Sequence, residues 1–135
     1  MLKDPWIREA GDRVMAIRDV TVVSVPVADQ ELAKTFYVET LGFELIEDIS
    51  TPGFRWIQVA PKGASTSLAL VDWFESMPAG SLNGVVLMSS DLRSDYEELV
   101  AKGVRFDGPP EPQSYVALET TLRDPDGNAL ILQQE

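Results

Sequence analysis

The chain repeats one pattern. An aspartate opens a helical stretch at Asp29 and again at Asp91, 62 residues apart, and a glycine closes each at Gly42 and Gly103, 61 apart. Residues 16–27, ahead of the first aspartate, are rich in β-branched side chains and read as a strand. Asp29 is suited to cap the first free N–H groups of a helix over residues 30–40. There Leu32, Ala33, Phe36, Tyr37 and Leu41 recur at spacings of three and four and form one apolar stripe. Gly42 supplies the left-handed residue that ends it. Strands are expected at about 43–50, 54–60 and 67–72, separated by turns at Pro52-Gly53 and Pro61-Lys62-Gly63.

The second copy follows the same order. Residues 83–89 read as a strand, and Leu92, Tyr96, Leu99 and Val100 stripe a helix that starts after Asp91. Strands are expected at about 104–106, 116–123 and 129–133. The last pair is joined by the turn Asp124-Pro125-Asp126-Gly127-Asn128, in which Gly127 and Asn128 are expected to take special backbone angles. Residues 107–112 are loop-like. The reading is a duplicated βαβββ unit in an α+β fold, each copy a curved, mostly antiparallel sheet forming a cup with one helix on its convex side. The modules cover about 16–75 and 83–133 of a single domain at 16–135. Residues 1–15 are a lead-in, where Trp6 and Ile7 can pack against the domain edge.

Alternation assigns the strand faces. Val23, Val25 and Val27 oppose Val20, Val22 and Ser24; Ile57 and Val59 oppose Trp56 and Gln58; Leu68 and Leu70 oppose Ala69 and Val71. In the second copy Val85 and Leu87 oppose Gly84, Val86 and Met88. Leu118 and Leu122 oppose Glu119, Thr121 and Arg123, and Leu130 and Leu132 oppose Ala129, Ile131 and Gln133. One face of each sheet is therefore aliphatic and belongs under a helix. The other mixes small, aromatic and polar residues. It is either a concave ligand surface or a partly solvated sheet face.

Composition removes much chemistry. Cysteine and histidine are both absent, so there is no disulfide, no thiolate nucleophile and no Ser-His-Asp unit. Zinc or iron sites built on imidazole or thiolate are excluded too, and a metal would need oxygen ligands. Eleven Lys and Arg against 22 Asp and Glu give a net charge of −11. That balance argues against nucleic acid and against an anionic membrane surface. The N-terminus lacks an apolar signal core and no apolar stretch is long enough to span a bilayer, so a cytoplasmic protein is expected. Asp12, Asp19, Glu44, Glu47 and Asp48 read as a solvated acidic surface. The Asp124–Asn128 turn lacks the spacing of a calcium loop.

The duplication and its motifs resemble the vicinal oxygen chelate superfamily, the glyoxalase, bleomycin-resistance and extradiol dioxygenase group. The residues that carry the likeness are Val25-Pro26-Val27-Ala28-Asp29-Gln30, Phe36-Tyr37, Leu41-Gly42-Phe43-Glu44 and Phe54-Arg55-Trp56. In the second copy they are Asp95-Tyr96-Glu97-Glu98-Leu99, Lys102-Gly103-Val104 and Asp124-Pro125-Asp126-Gly127-Asn128. The resemblance spans roughly residues 16–133 and speaks to fold more than activity. It implies a metal site at four strand positions, usually two His or Gln and two Glu. Those positions fall at Val22, Ala69, Gly84 and Ile131, none of which offers a side-chain ligand. The likeness thus points to a cup without the family's metal or another cofactor, and to a homodimer.

Within the mixed faces the expected ligand-binding residues are Ser24, Trp56, Gln58, Met88, Glu119 and Thr121. The pocket floor would be Val22, Ala69, Gly84 and Ile131. Trp56 is either a stacking platform beside the Gln58 amide or a plug filling the cup. Glu119 either orients a cationic or hydrogen-bonding ligand, or Glu119, Thr121 and Arg123 face solvent or pair across the sheet. Trp73 and Phe74 stand at a pocket rim or a subunit interface, and Tyr115 is a lid residue or packs locally. Two functions remain. The first is a metal-free protein that binds or sequesters a small organic molecule, hydrophobic or cationic, as the drug-resistance members of the superfamily do. The second is a lyase, isomerase or dioxygenase-like enzyme using a carboxylate base such as Glu119, or displaced metal ligands. A third reading is a relic module whose cup is filled and whose role is protein interaction. No catalytic residue is assigned.

Overall fold

In a computed structural model, residues 14–135 are described; the expected packing of Trp6 and Ile7, and the position of Asp12, lie outside them. Two four-stranded sheets account for the strands. The first contains β1 (Val22–Pro26), β2 (Glu44–Thr51), β3 (Phe54–Ala60) and β4 (Ser67–Val71) in the order β1-β4-β3-β2. The second contains β5 (Val85–Ser89), β6 (Arg105–Phe106), β7 (Glu119–Arg123) and β8 (Ala129–Gln134) in the order β5-β8-β7-β6. In both, the first strand pairs parallel with the last and the remaining pairs are antiparallel. Val22 lies opposite Ser67 and Val85 opposite Leu130, the same separation along the chain. The duplication read from the helices therefore extends to the register of the sheets. Pro26 ends β1, an edge strand, where a missing N–H costs least.

The first helix changes form halfway. α1 (Gln30–Thr35) begins at Asp29, whose carboxylate accepts from the Leu32 N–H at 3.0 Å. It passes into a π-helical turn, Phe36–Thr40, that closes with Leu41 N–H donating to the Phe36 carbonyl. The stripe read at α-helical spacing predicts no such widening. The turn seats the Tyr37 ring with no exposed surface and sets it edge-on to Phe36. Leu32, expected in the stripe, is 55% exposed. α2 (Leu92–Ala101) starts at Asp91, which accepts from Ser94, and buries Leu92. Gly42 and Gly103 both take the positive φ that ends such helices.

The aliphatic faces of both sheets meet in one core. Val25, Ile57 and Leu70 of the first module and Leu92, Leu122 and Leu130 of the second are all fully or almost fully buried within it. Full burial of such a side chain contributes about 1.5–3 kcal/mol, so the modules are held face to face by apolar packing. A polar joint reinforces the seam. The Tyr37 hydroxyl donates to Asp124, and the Asn128 amide donates to the Pro26 carbonyl across 2.8 Å.

Three local expectations differ from the structure. Asn128 does not take a positive φ; Gly127 alone does so in that turn, at 98°. Asn128 is instead fixed by its side-chain amide, which donates to the Pro26 carbonyl and the Asp124 carboxylate and accepts from the Leu82 N–H. Asp48 is not a solvated carboxylate, because a shift in register between Leu45 and Glu47 turns it to the helix side. There it accepts from Lys34 at 2.7 Å and from two nitrogens of Arg55 at 2.9 and 2.7 Å. The Arg55 guanidinium, followed by Lys34, holds its carboxyl well below the usual range. Finally, residues 116–118 stay outside β7, which begins at Glu119; the Val116 carbonyl instead accepts from the Gln113 N–H in a turn.

Candidate functional site

The mixed faces point away from the shared core. On the first sheet, register places Glu47, Gln58, Ala69 and Ser24 in one row across the strands. The neighbouring row holds Ile49 opposite Trp56. The Trp56 indole N–H donates to the side-chain amide oxygen of Gln58 at 3.0 Å, which fixes the indole in place. Just beyond β4 the chain brings Trp73 over this face. Its ring lies 6.2 Å from Trp56 at an interplanar angle of 26°, and 5.0 Å from Phe54. Phe74 continues the cluster. Beneath it Ala69 is fully buried, while Phe54, Trp73 and Phe74 remain 46%, 37% and 45% exposed. Aromatic area open to solvent on a sheet face is where a flat or apolar molecule gains most by binding.

On the second sheet, Met88, Gln133 and Glu119 form one row, and Val86, Ile131 and Thr121 the next. Gly84 lies one residue before β5. Both oxygens of Glu119 have partners: Gln133 donates to one at 2.9 Å and the Tyr115 hydroxyl to the other at 2.8 Å. The bond to the carboxylate pushes the Tyr115 hydroxyl up from its ordinary value. Arg123, on the same face by parity, is drawn sideways onto Asp107 at 2.9 and 2.7 Å.

The expected ligand-binding residues thus divide into two groups. Ser24, Trp56 and Gln58 share one outward face with Val22 and Ala69. Met88, Glu119 and Thr121 share the other with Gly84 and Ile131. Among the described residues no hydrogen bond or ring contact joins the two groups. A cleft of about 880 Å³ runs beside β5, lined by Gly84, Val86 and Met88 on one side and the 63–66 loop on the other. Trp56, Gln58, Glu119 and Thr121 do not line it. Sequence reasoning missed Phe54 as a member of these faces, although parity with Trp56 marks it, and placed Gln133 on its face without naming it as a binding residue.

Among the described residues no group of three or more His, Cys, Asp or Glu is gathered where it could hold a metal ion. The side chains at Val22, Ala69, Gly84 and Ile131 carry no donor atom, so these four positions do not fit the metal that the resemblance implies. No helix of the described residues is long and apolar enough to cross a membrane.

Comparison with known proteins agrees with this architecture. Residues 19–132 match the family model described as Glyoxalase/Bleomycin resistance protein/Dioxygenase superfamily. Among solved structures the chain is similar to TnmS3, an antibiotic binding protein from Streptomyces sp. CB03234. The identity is 50%, the TM-score 0.84, and the match covers 90% of this chain and 98% of that one. It is also similar to a member of the same superfamily from Sphaerobacter thermophilus DSM 20745. Here the identity is 38% and the TM-score 0.84, with 90% and 100% of the two chains covered. Among curated proteins it is 33% identical to YetH of Bacillus subtilis (strain 168) over 124 residues, 87% of this chain and 99% of that protein.

Proposed function

The chain belongs to the Glyoxalase/Bleomycin resistance protein/Dioxygenase superfamily, and from that premise we propose that it binds or sequesters a small organic molecule without a metal. The observation that carries this reading is the half-exposed aromatic cluster of Phe54, Trp56 and Trp73 on the outward face of the first sheet. The likeness to an antibiotic binding protein at 50% identity supports the same class. The ligand has an aromatic or apolar body, hydrophobic or cationic. Trp56, held by Gln58, is its stacking surface, Ser24 and Thr121 offer hydrogen bonds, and Met88 is an adaptable wall. Ala69, Val22, Gly84 and Ile131 are the apolar floor. Glu119 supplies a negative charge already oriented by Gln133 and Tyr115. A cation over an indole face contributes about 0.5–2 kcal/mol.

The two outward faces of one chain cannot close on one ligand, since the common core lies between them. The cup is therefore completed by a second copy, the first sheet of one chain facing the second sheet of the other. The protein acts as a cytoplasmic homodimer. The exposed Trp73-Phe74 segment anchors the contact at the rim.

A thermal-shift screen of apolar and cationic antibiotics against protein treated with a chelator tests this. Saturable stabilisation that Trp56→Ala removes is expected. Binding that appears only after a divalent metal is restored would overturn the reading.

A further inference from the structure

A second feature of the molecule is independent of the sheet faces. At the seam between the modules, a cleft of about 160 Å³ is bounded by Phe36 and Thr40 of the π-helical turn and by residues 102–105 and 123–125. Lys102, Arg105 and Arg123 all line it. In a chain with only 11 Lys and Arg against 22 Asp and Glu, three cations on one small cleft stand out. Its one acidic lining residue, Asp124, is 1% exposed and turns its carboxylate inward, accepting from the Tyr37 hydroxyl and the Asn128 amide. The charge presented to solvent in the cleft is positive.

The three cations are not equally satisfied. Arg123 is closed onto Asp107 by two short bonds. Lys102 reaches only the Thr40 carbonyl, at 3.4 Å, and Arg105 only the Asp124 carbonyl, also at 3.4 Å. Lys102 caps the C-terminus of α2, where a cation complements the helix dipole. That does not account for Arg105. Arg105 and Arg123 are direct cross-strand partners of β6 and β7, and like charges so placed destabilise a sheet unless an anion offsets them. Asp107 offsets Arg123; among the described residues no carboxylate bonds to Arg105.

We infer that this cleft is an anion site that takes a tetrahedral oxyanion of the phosphate type, bridging Lys102 and Arg105. A guanidinium fork with an ammonium beside it is the pairing that such an oxyanion's oxygens match. Phe36 and Pro125 leave apolar wall for whatever body the phosphate is attached to. Because the site draws residues from both modules, its occupation fastens the π-helical turn to the β6–β7 pair. It does not depend on what the outward faces bind.

The test is a titration of ¹⁵N-labelled protein with inorganic phosphate at ionic strength held constant with chloride. Saturable amide shifts centred on Gly103 and Arg105, with a midpoint in the millimolar range, are expected. Arg105→Gln and Lys102→Gln should each weaken binding about tenfold, equivalent to roughly 1.4 kcal/mol, while Lys62→Gln leaves it unchanged. Shifts that rise linearly without saturation, or spread over the whole surface, would overturn the proposal. So would full affinity in both cleft variants with their spectra otherwise preserved.

Discussion

The Tyr37 hydroxyl donates to the Asp124 carboxylate across 2.8 Å, and both side chains are essentially without exposed surface. This bond crosses from the helix of the first module to the turn of the second. Burial and the adjacent Asp124 charge push the Tyr37 phenol far above its ordinary value, so it remains a donor throughout the accessible pH range. Asp124 also accepts from the backbone N–H of Asp126 and of Asn128. Tyr37→Phe removes one donor from a buried carboxylate and is expected to cost about 1–3 kcal/mol. Urea unfolding should show a lower midpoint with an unchanged slope; an unaltered midpoint would mean that the joint adds nothing to stability.

Gly80 makes the same seam sensitive to a single methyl group. Its φ is +85°, its N–H donates to the Pro26 carbonyl, and an added Cβ would collide with the Asp126 carbonyl oxygen. Gly53 has a similar φ, +78°, with open space around it. Gly53→Ala should cost about 1 kcal/mol through its backbone angle alone. Gly80→Ala should cost clearly more, read as the larger fall in melting temperature. Equal falls would contradict the close approach.

The Asp48 cluster sets an acid limit. Its folded carboxyl titrates below its ordinary value of 3.8 because Arg55 and then Lys34 bond to it. A depressed carboxyl contributes stability above its unfolded pKa and loses it as pH falls through the folded one. Asp48→Asn is therefore expected to be less stable than wild type at pH 7, with the two converging as pH drops below about 4. Asp126 has the opposite sign, since burial raises its carboxyl. Its raised carboxyl favours the fold below pH 3.8 and that contribution is lost as pH rises through the folded value, so Asp126→Asn, which keeps an oxygen for the Ala28 N–H, should remove that loss. Denaturant midpoints across pH 3–7 check both signs.

Assembly carries its own expectation. If a second copy completes the cup, sedimentation at micromolar concentration gives a dimer, and Trp73→Ser shifts it toward monomer. A wild-type monomer under those conditions would refute the shared cup.

Much of the fold was legible because it rests on periodic signals. Asp29 and Asp91 cap their helices as read, Gly42 and Gly103 end them, and alternation places Ile57, Leu70, Leu122 and Leu130 in the core. The misses are non-periodic. The π-helical turn at Phe36–Thr40 is decided by how Tyr37 seats between modules, a contact 87 residues apart in sequence. The turn of Asp48 toward Lys34 and Arg55 follows from a register shift in β2 that alternation cannot see. The site was legible only by parity. Trp56 and Gln58 share a face as expected, but their direct bond, the approach of Trp73 and the hold of Gln133 on Glu119 are tertiary facts. The seam that brings Lys102 and Arg105 to one cleft with Phe36 joins segments the sequence marks only separately.

Ligand binding on the Trp56 face is proposed to need no metal. Calorimetric titration of chelator-treated protein with the most stabilising compound of the antibiotic screen tests it most directly, comparing wild type, Trp56→Ala and Glu119→Gln. The same affinity is expected with and without added metal, and a loss of roughly twofold to thirtyfold in Trp56→Ala from the lost cation–π contact. Glu119→Gln should weaken cationic compounds and leave neutral ones unchanged. Wild-type affinity in Trp56→Ala, or binding only with added metal, would contradict it.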